Sequence, residues 1–248
     1  MTRAILFLLS AALATAAVTN TNLQTVFPVP SSTTHLAAVR TIAAGANFDG
    51  GMHQWDRNPS TCNGQSEGGE SDAVFILENG ATLSNVIIGP NNGEGVHCKG
   101  SCTLNNVWWT DVCEDAATFR QSSGTSYVNG GGARNADDKV FQHNGAGTVA
   151  VRNFFAINIG KLYRSCGNCK TQYARRSTFD NVKVDKSSVV AGINSNLGDT
   201  TSVSNSCVLS GGTCWLYNGN NQGKEPTKIG SGPDGKSCVA SNVRTSGC

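Results

Sequence analysis

One short phrase returns along this chain every twenty to thirty residues, and that recurrence limits the possible fold more than any other feature. Asn is followed by β-prone residues in Asn85-Val86-Ile87, Asn106-Val107-Trp108, Asn153-Phe154-Phe155 and Asn181-Val182-Lys183, with weaker copies at Val128-Asn129 and Asn205-Ser206-Cys207. Successive Asn residues are 21, 23, 24, 28 and 24 positions apart. No 3.6-residue hydrophobic period fits between them, which excludes alternating strands and helices. A repeat of this length is one strand-turn-strand coil of a solenoid. The expected fold is therefore all-β, a single-domain right-handed parallel β-helix. Twenty-nine glycines and only 15% charged residues agree with many short strands and tight turns.

A second column keeps the same phase: Gly95-Val96-His97, Asp115-Ala116-Ala117, Lys139-Val140-Phe141, Lys161-Leu162-Tyr163 and Gly192-Ile193-Asn194. Equivalent positions on stacked coils lie roughly 4.8 Å apart, so residues sharing a phase form a line on one face. Val86, Ile88, Val107, Val149, Val151 and Val182 are the expected lumen residues, and the Asn column is expected to ladder at the turns.

Both ends depart from the repeat. Residues 1–17 carry an apolar run, Ala4 to Ala14 broken only by Ser10, and then Ala14-Thr15-Ala16. This reads as a secretory signal peptide, too short to span a membrane. The mature domain, residues 18–248, is expected to be secreted and monomeric and to begin with a mobile arm. The Gly-rich stretch between Asp49 and Ser71 is expected to pack over one face of the coils. Ten cysteines all follow the leader, so structural disulfides are the default in an oxidising compartment. Counting fixes no connectivity beyond a preference for Cys166 with Cys169, though Cys238 and Cys248 point to a disulfide-tied C-terminal cap. A net charge of +2 gives no bulk attraction to nucleic acid.

The second column carries the chemistry. On two adjacent coils it presents Glu94 and then Glu114 and Asp115; Asp138 and Lys139 follow, then Lys161 and Arg164. Three acids so close repel one another unless a cation joins them, and carboxylate oxygens in an extracellular setting select Ca2+. The neighbouring cations suit an acidic polysaccharide, since Lys161 and Arg164 pair with sugar carboxylates. Lys139, its pKa lowered by the positive charges around it, is the expected base for a β-elimination, with Arg164 the other candidate. His97 and His143 are expected to make only local hydrogen bonds, and Tyr163, Phe154 and Phe155 to pack. One of Trp108 and Trp109 is expected in the core and the other is a candidate sugar platform.

The segments NVIIG, Glu94 to Cys98, NVWW, DVCEDA, ADDKVFQHN and GKLYRSCGNC closely resemble fungal pectate lyases of polysaccharide lyase family 3, and the likeness continues through Gly192 to Asn196 and Gly223 to Thr227. The resemblance implies a calcium-dependent secreted lyase that cleaves polygalacturonate. It places Glu94, Glu114 and Asp115 as metal ligands and Lys139, Lys161 and Arg164 as the catalytic cations. Glu94 stands where bacterial relatives commonly have Asp. Two rivals are a glycosidase, which needs two carboxylates flanking a water and no metal or cationic row, and a non-catalytic polysaccharide-binding protein on the same scaffold.

Overall fold

The computed structural model describes residues 22–248; the proposed leader and the first residues of the arm lie outside that range. Among the described residues are nineteen strands, and the helical segments are two single 3-10 turns, Glu70–Asp72 and Ser195–Leu197. The strands pair in parallel with the strand one coil away, giving a β-solenoid of about eight turns.

The register defines three faces. The first stacks Arg40–Ile42, Ala73–Leu77, Glu94–Cys98, Asp115–Phe119 and then the C-terminal parts of Thr125–His143, Phe155–Ser165 and Lys183–Asn194. The second stacks Thr82, Thr103, Tyr127, Ala150, Thr178 and Ser202 with the residues that follow each of them. The third begins at Val86, Val107, Gly131 and Phe155.

The repeating Asn makes the bend between the second and third faces. Asn85, Asn106, Asn153, Asn181 and Asn205 all have φ between 50° and 55°, a left-handed conformation that Asn tolerates because its short amide finds local partners. The amides also ladder: Asn106 Nδ2 donates to Asn85 Oδ1 at 3.0 Å, and Asn181 Nδ2 to Asn153 Oδ1 at 2.8 Å. One member of the expected column is displaced. Asn129 pairs with Asn105, and the bend on that coil is made by Gly130, φ 71°. Glycine reaches the left-handed region at no steric cost, so the Asn is not needed there and a neighbouring one mimics it in sequence.

The five valines and one isoleucine expected in the lumen are all buried in one core, with a column of aromatics among them. Phe141 lies 5.9 Å from Phe119 and 5.2 Å from Phe154, ring centre to ring centre. Both Trp108 and Trp109 are about 1% exposed, so neither is a sugar platform. Trp109 is in the lumen, whereas Trp108 faces outward and is covered by Phe27 at 5.1 Å. The arm is therefore docked at Phe27, which also meets Phe155 and carries the Arg134 guanidinium over its ring. An outward indole would otherwise leave a large apolar area in water.

The ends are closed. At the N-terminal end the strand Thr33–Leu36 pairs with Gln54–Arg57, and the buried Arg57 donates to four carbonyls, Leu36, Ala37, Ser71 and Ala73. The C-terminal tail does more than cap. Thr227–Gly232 pairs antiparallel with Gly212–Asn218, and Cys238–Ser241 adds a further parallel strand to Thr200–Ser204. Disulfides Cys214–Cys238 and Cys207–Cys248 tie it down; Cys166–Cys169, Cys98–Cys102 and Cys62–Cys113 complete the set.

Candidate functional site

The first face brings the sequence-marked acids and cations together. Strand register sets Glu94 opposite Asp115 and Lys139 opposite Lys161. Beyond Lys161 the column continues to Val189, and Gly192 instead pairs with Arg164. The second column is thus three residues out of phase at its last member, because the coil that follows Lys161 is longer than the one that precedes it. Arg164 belongs to a neighbouring line that includes His97, Thr118 and Gln142.

Glu94, Glu114 and Asp115 are each less than 5% exposed, and one carboxylate oxygen from each lies within 4.8 Å of the others. Lys139 Nζ reaches into this group, 2.7 Å from Glu114 Oε1, 3.1 Å from Asp115 Oδ1 and 3.3 Å from Asp138 Oδ2. Lys161 contacts the other side of Asp138. Four carboxylates against two ammonium groups leave two formal negative charges without a counter-charge. Burial pushes the Glu114 and Asp115 pKa values up, and Glu94 adds to this by repulsion; the nearby Lys139 only partly opposes it. Glu114 Oε2 is buried with no hydrogen-bond partner among the described residues. An all-oxygen donor set with two surplus negative charges and an unclaimed oxygen fits a hard divalent cation.

Lys139 differs from its expected state. Burial alone would favour the neutral amine, but Asp115, Glu114 and Asp138 outweigh it, and the Lys139 pKa lies above the usual lysine range. The acids touch its ammonium, while Lys161 and Arg164 do not; Coulomb energy falls with distance, so the nearest charges decide.

Arg164 is 8% exposed. Its Nη1 donates to Ser165 O at 2.7 Å and Asn194 Oδ1 at 3.1 Å, and its guanidinium lies 4.0 Å from the Tyr217 ring centre. Nη2 is buried without a hydrogen-bond partner among the described residues. Burial lowers the Arg164 pKa from its usual value.

Two clefts with shared walls run along this face. One of about 390 Å³ is lined by Glu94, Asp115, Arg120 and Gln142, the other of about 210 Å³ by Lys139, Lys161, Arg164 and Tyr217. Glu67 borders both, so the Gly-rich stretch does pack over a face, the one that carries the acids. Cys62–Cys113 and the bond from Gln65 Nε2 to Cys113 O at 2.6 Å hold it there. Gly68 lies so close that a Cβ there would sit 3.2 Å from Glu94 Oε1.

His97 Nε2 bonds Glu94 Oε2 at 3.0 Å. His143 is buried between Tyr163 Oη and Ala146 O, and burial brings its pKa down to about 3. His97 keeps to a local hydrogen bond as expected, whereas His143 also reaches Tyr163 on the next coil. Sequence reasoning missed Gln142 and Tyr217 in the cleft, and Asn194 and Asp199 beneath Arg164. Of these only Asn194 had a signal, its place at the end of the second column.

Comparison with known proteins shows the family. The pectate lyase family profile matches residues 24–224. The chain is 52% identical over 209 residues to a probable pectate lyase E of Neosartorya fischeri and to pectate lyase E of Emericella nidulans, covering 84% of this chain and 82% of each relative. Among solved structures, the catalytic domain of pectate lyase PelI from Erwinia chrysanthemi superposes with TM-score 0.68 at 28% identity, covering 86% of this chain and 98% of that one. PelI in complex with tetragalacturonic acid gives 0.67 at 30% identity, covering 86% and 69%. With the profile spanning most of its length and relatives this similar, the chain belongs to the pectate lyase family.

Proposed function

We propose that this protein is a secreted, monomeric, calcium-dependent pectate lyase that cleaves polygalacturonate by β-elimination, leaving unsaturated oligogalacturonides. The observation that carries the reading is the acid group of Glu94, Glu114 and Asp115 bordering Lys139, Lys161 and Arg164 on one groove-lined face. The complex of a structural neighbour with tetragalacturonic acid supports the substrate class, and five disulfides support an oxidising compartment.

Glu94, Glu114 and Asp115 would hold the ion. When bound, calcium neutralises a uronate carboxylate and makes the proton on the adjoining ring carbon more acidic. Lys161 and Arg164 pair with the same carboxylate and stabilise the charge that develops as the proton departs. Lys139 takes that proton: the C–H bond breaks, a ring double bond forms, and the bond to the glycosidic oxygen one carbon further on breaks with its electrons on that oxygen. As an ammonium held by three carboxylates Lys139 cannot accept a proton. Glu114 and Asp115, once engaged as ligands, no longer hold that ammonium charged, which returns Lys139 toward a usable base.

The test is polygalacturonate turnover followed by the ultraviolet absorbance of the unsaturated product. Activity is expected to vanish with chelator and return with calcium. Lys139→Ala should bind substrate but lose turnover by about 10²-fold or more, and Glu114→Ala should raise the calcium requirement. Chelator-insensitive release of saturated sugars would replace the lyase reading with hydrolysis; turnover unchanged in Lys139→Ala would move the base to Arg164.

A further inference from the structure

The face that carries the groove continues past Arg164. In strand register Arg164 pairs with Gly192, and Gly192 with Trp215. Paired residues of parallel strands point to the same side, so Trp215 lies on the groove face two strands beyond Arg164, roughly 10 Å along the axis. Gly192 leaves the space between them low: a Cβ there would sit 3.0 Å from Arg164 Cδ and 3.3 Å from Tyr217 Cε2.

The antiparallel strand Thr227–Gly232 adds one more step. It places Lys228 opposite Tyr217, with Lys228 Nζ 3.7 Å from the centre of the partly buried Trp215 ring. Cation–π contact holds an exposed ammonium at a fixed place. Lys228 pairs with no carboxylate among the described residues; Glu225, which lines the cleft beside Arg164, is not within ion-pair reach of it. Disulfide Cys214–Cys238 anchors the strand that carries Trp215.

We propose that Trp215 and Lys228 form an outlying subsite for a uronate carboxylate, engaged only by acidic oligosaccharides long enough to extend past Arg164. This rests on the polygalacturonate reading of the groove. Lys228 then adds a cation further along the face that carries Lys139, Lys161 and Arg164, and a polyanion with one carboxylate per sugar meets positive charge along its length. Lys228 supplies affinity for long chains and takes no part in bond breaking.

Calorimetric titration with trigalacturonate and hexagalacturonate, in a Lys139→Ala background that leaves the sugars uncleaved, with and without Lys228→Ala or Trp215→Ala added, reads the subsite without relying on turnover. The hexamer is expected to lose affinity several-fold in both variants, and trimer affinity is expected to be unchanged. Lys228→Glu should lose more. Lys228 is exposed, so Lys228→Ala decides the matter even if Trp215→Ala does not fold. Equal loss for both sugars, or no loss for the hexamer, overturns the subsite; absence of turnover by the parent protein with this length dependence intact would instead overturn the lyase reading.

Discussion

Lys139 and His143 lie on one strand, four residues apart, and burial acts on them with opposite results. Lys139 is surrounded by carboxylates and stays charged. His143 meets only a phenol and a carbonyl, with Arg175 adding like charge, so it stays neutral until about pH 3. In the unfolded chain it would take a proton near pH 6.5. The unfolded state therefore binds the extra proton between these values, and stability rises with pH across the window and is lost as pH falls through it, by up to about 1.4 kcal/mol per unit for one proton. His143→Gln is expected to be less stable at neutral pH but to lose less between pH 6.5 and pH 4, measured by urea unfolding at both values. An unchanged slope would show that other groups govern the acid limb.

At the scale of the coil, the Asn bend is the recurring device, and Asn106 shows what it contributes. It adopts φ 53°, donates to Asn85 and accepts the Trp108 indole N–H at 2.8 Å. Asn106→Ala keeps the strained backbone and removes both bonds, so a loss of roughly 2–4 kcal/mol is expected from the left-handed penalty and the unpaired indole together. Asn129→Ala should cost less, about 1 kcal/mol, because Gly130 makes the bend on that coil and only the bonds to Asn105 and Arg152 are lost. Equal costs in denaturant titrations would mean that the ladder, not the backbone conformation, is what matters.

The whole molecule is a stack of coils in which each contacts mainly its neighbours, so its ends are where it would open. At the C-terminal end the bond Cys207–Cys248 closes a segment of 41 residues beside the bridge between Cys207 and Arg244. Loop-closure entropy puts its contribution at roughly 3–4 kcal/mol. For a chain of this size, Cys207→Ala with Cys248→Ala is expected to lower Tm on the order of 10 °C, read by calorimetry, without altering polygalacturonate turnover at 25 °C. A loss of activity that tracks the loss of stability would show that opening of this end spreads to the groove.

Sequence alone determined the coil. The spacing of Asn85, Asn106, Asn153 and Asn181 reflects a backbone need, a left-handed bend once per turn, and such a need imprints itself on residue type wherever it recurs. It also placed Glu94 beside Asp115 and Lys139 beside Lys161, since residues in phase along a solenoid must stack. Tertiary structure decided what phase cannot encode. The long coil after Lys161 brought Val189 rather than Gly192 beside it, Phe27 covered Trp108, and Gly130 replaced Asn129 at the bend. The protonation of Lys139 was settled the same way: charge state depends on which groups lie within a few ångströms, and here acids from the preceding coil, far away along the chain, are nearer than the cations.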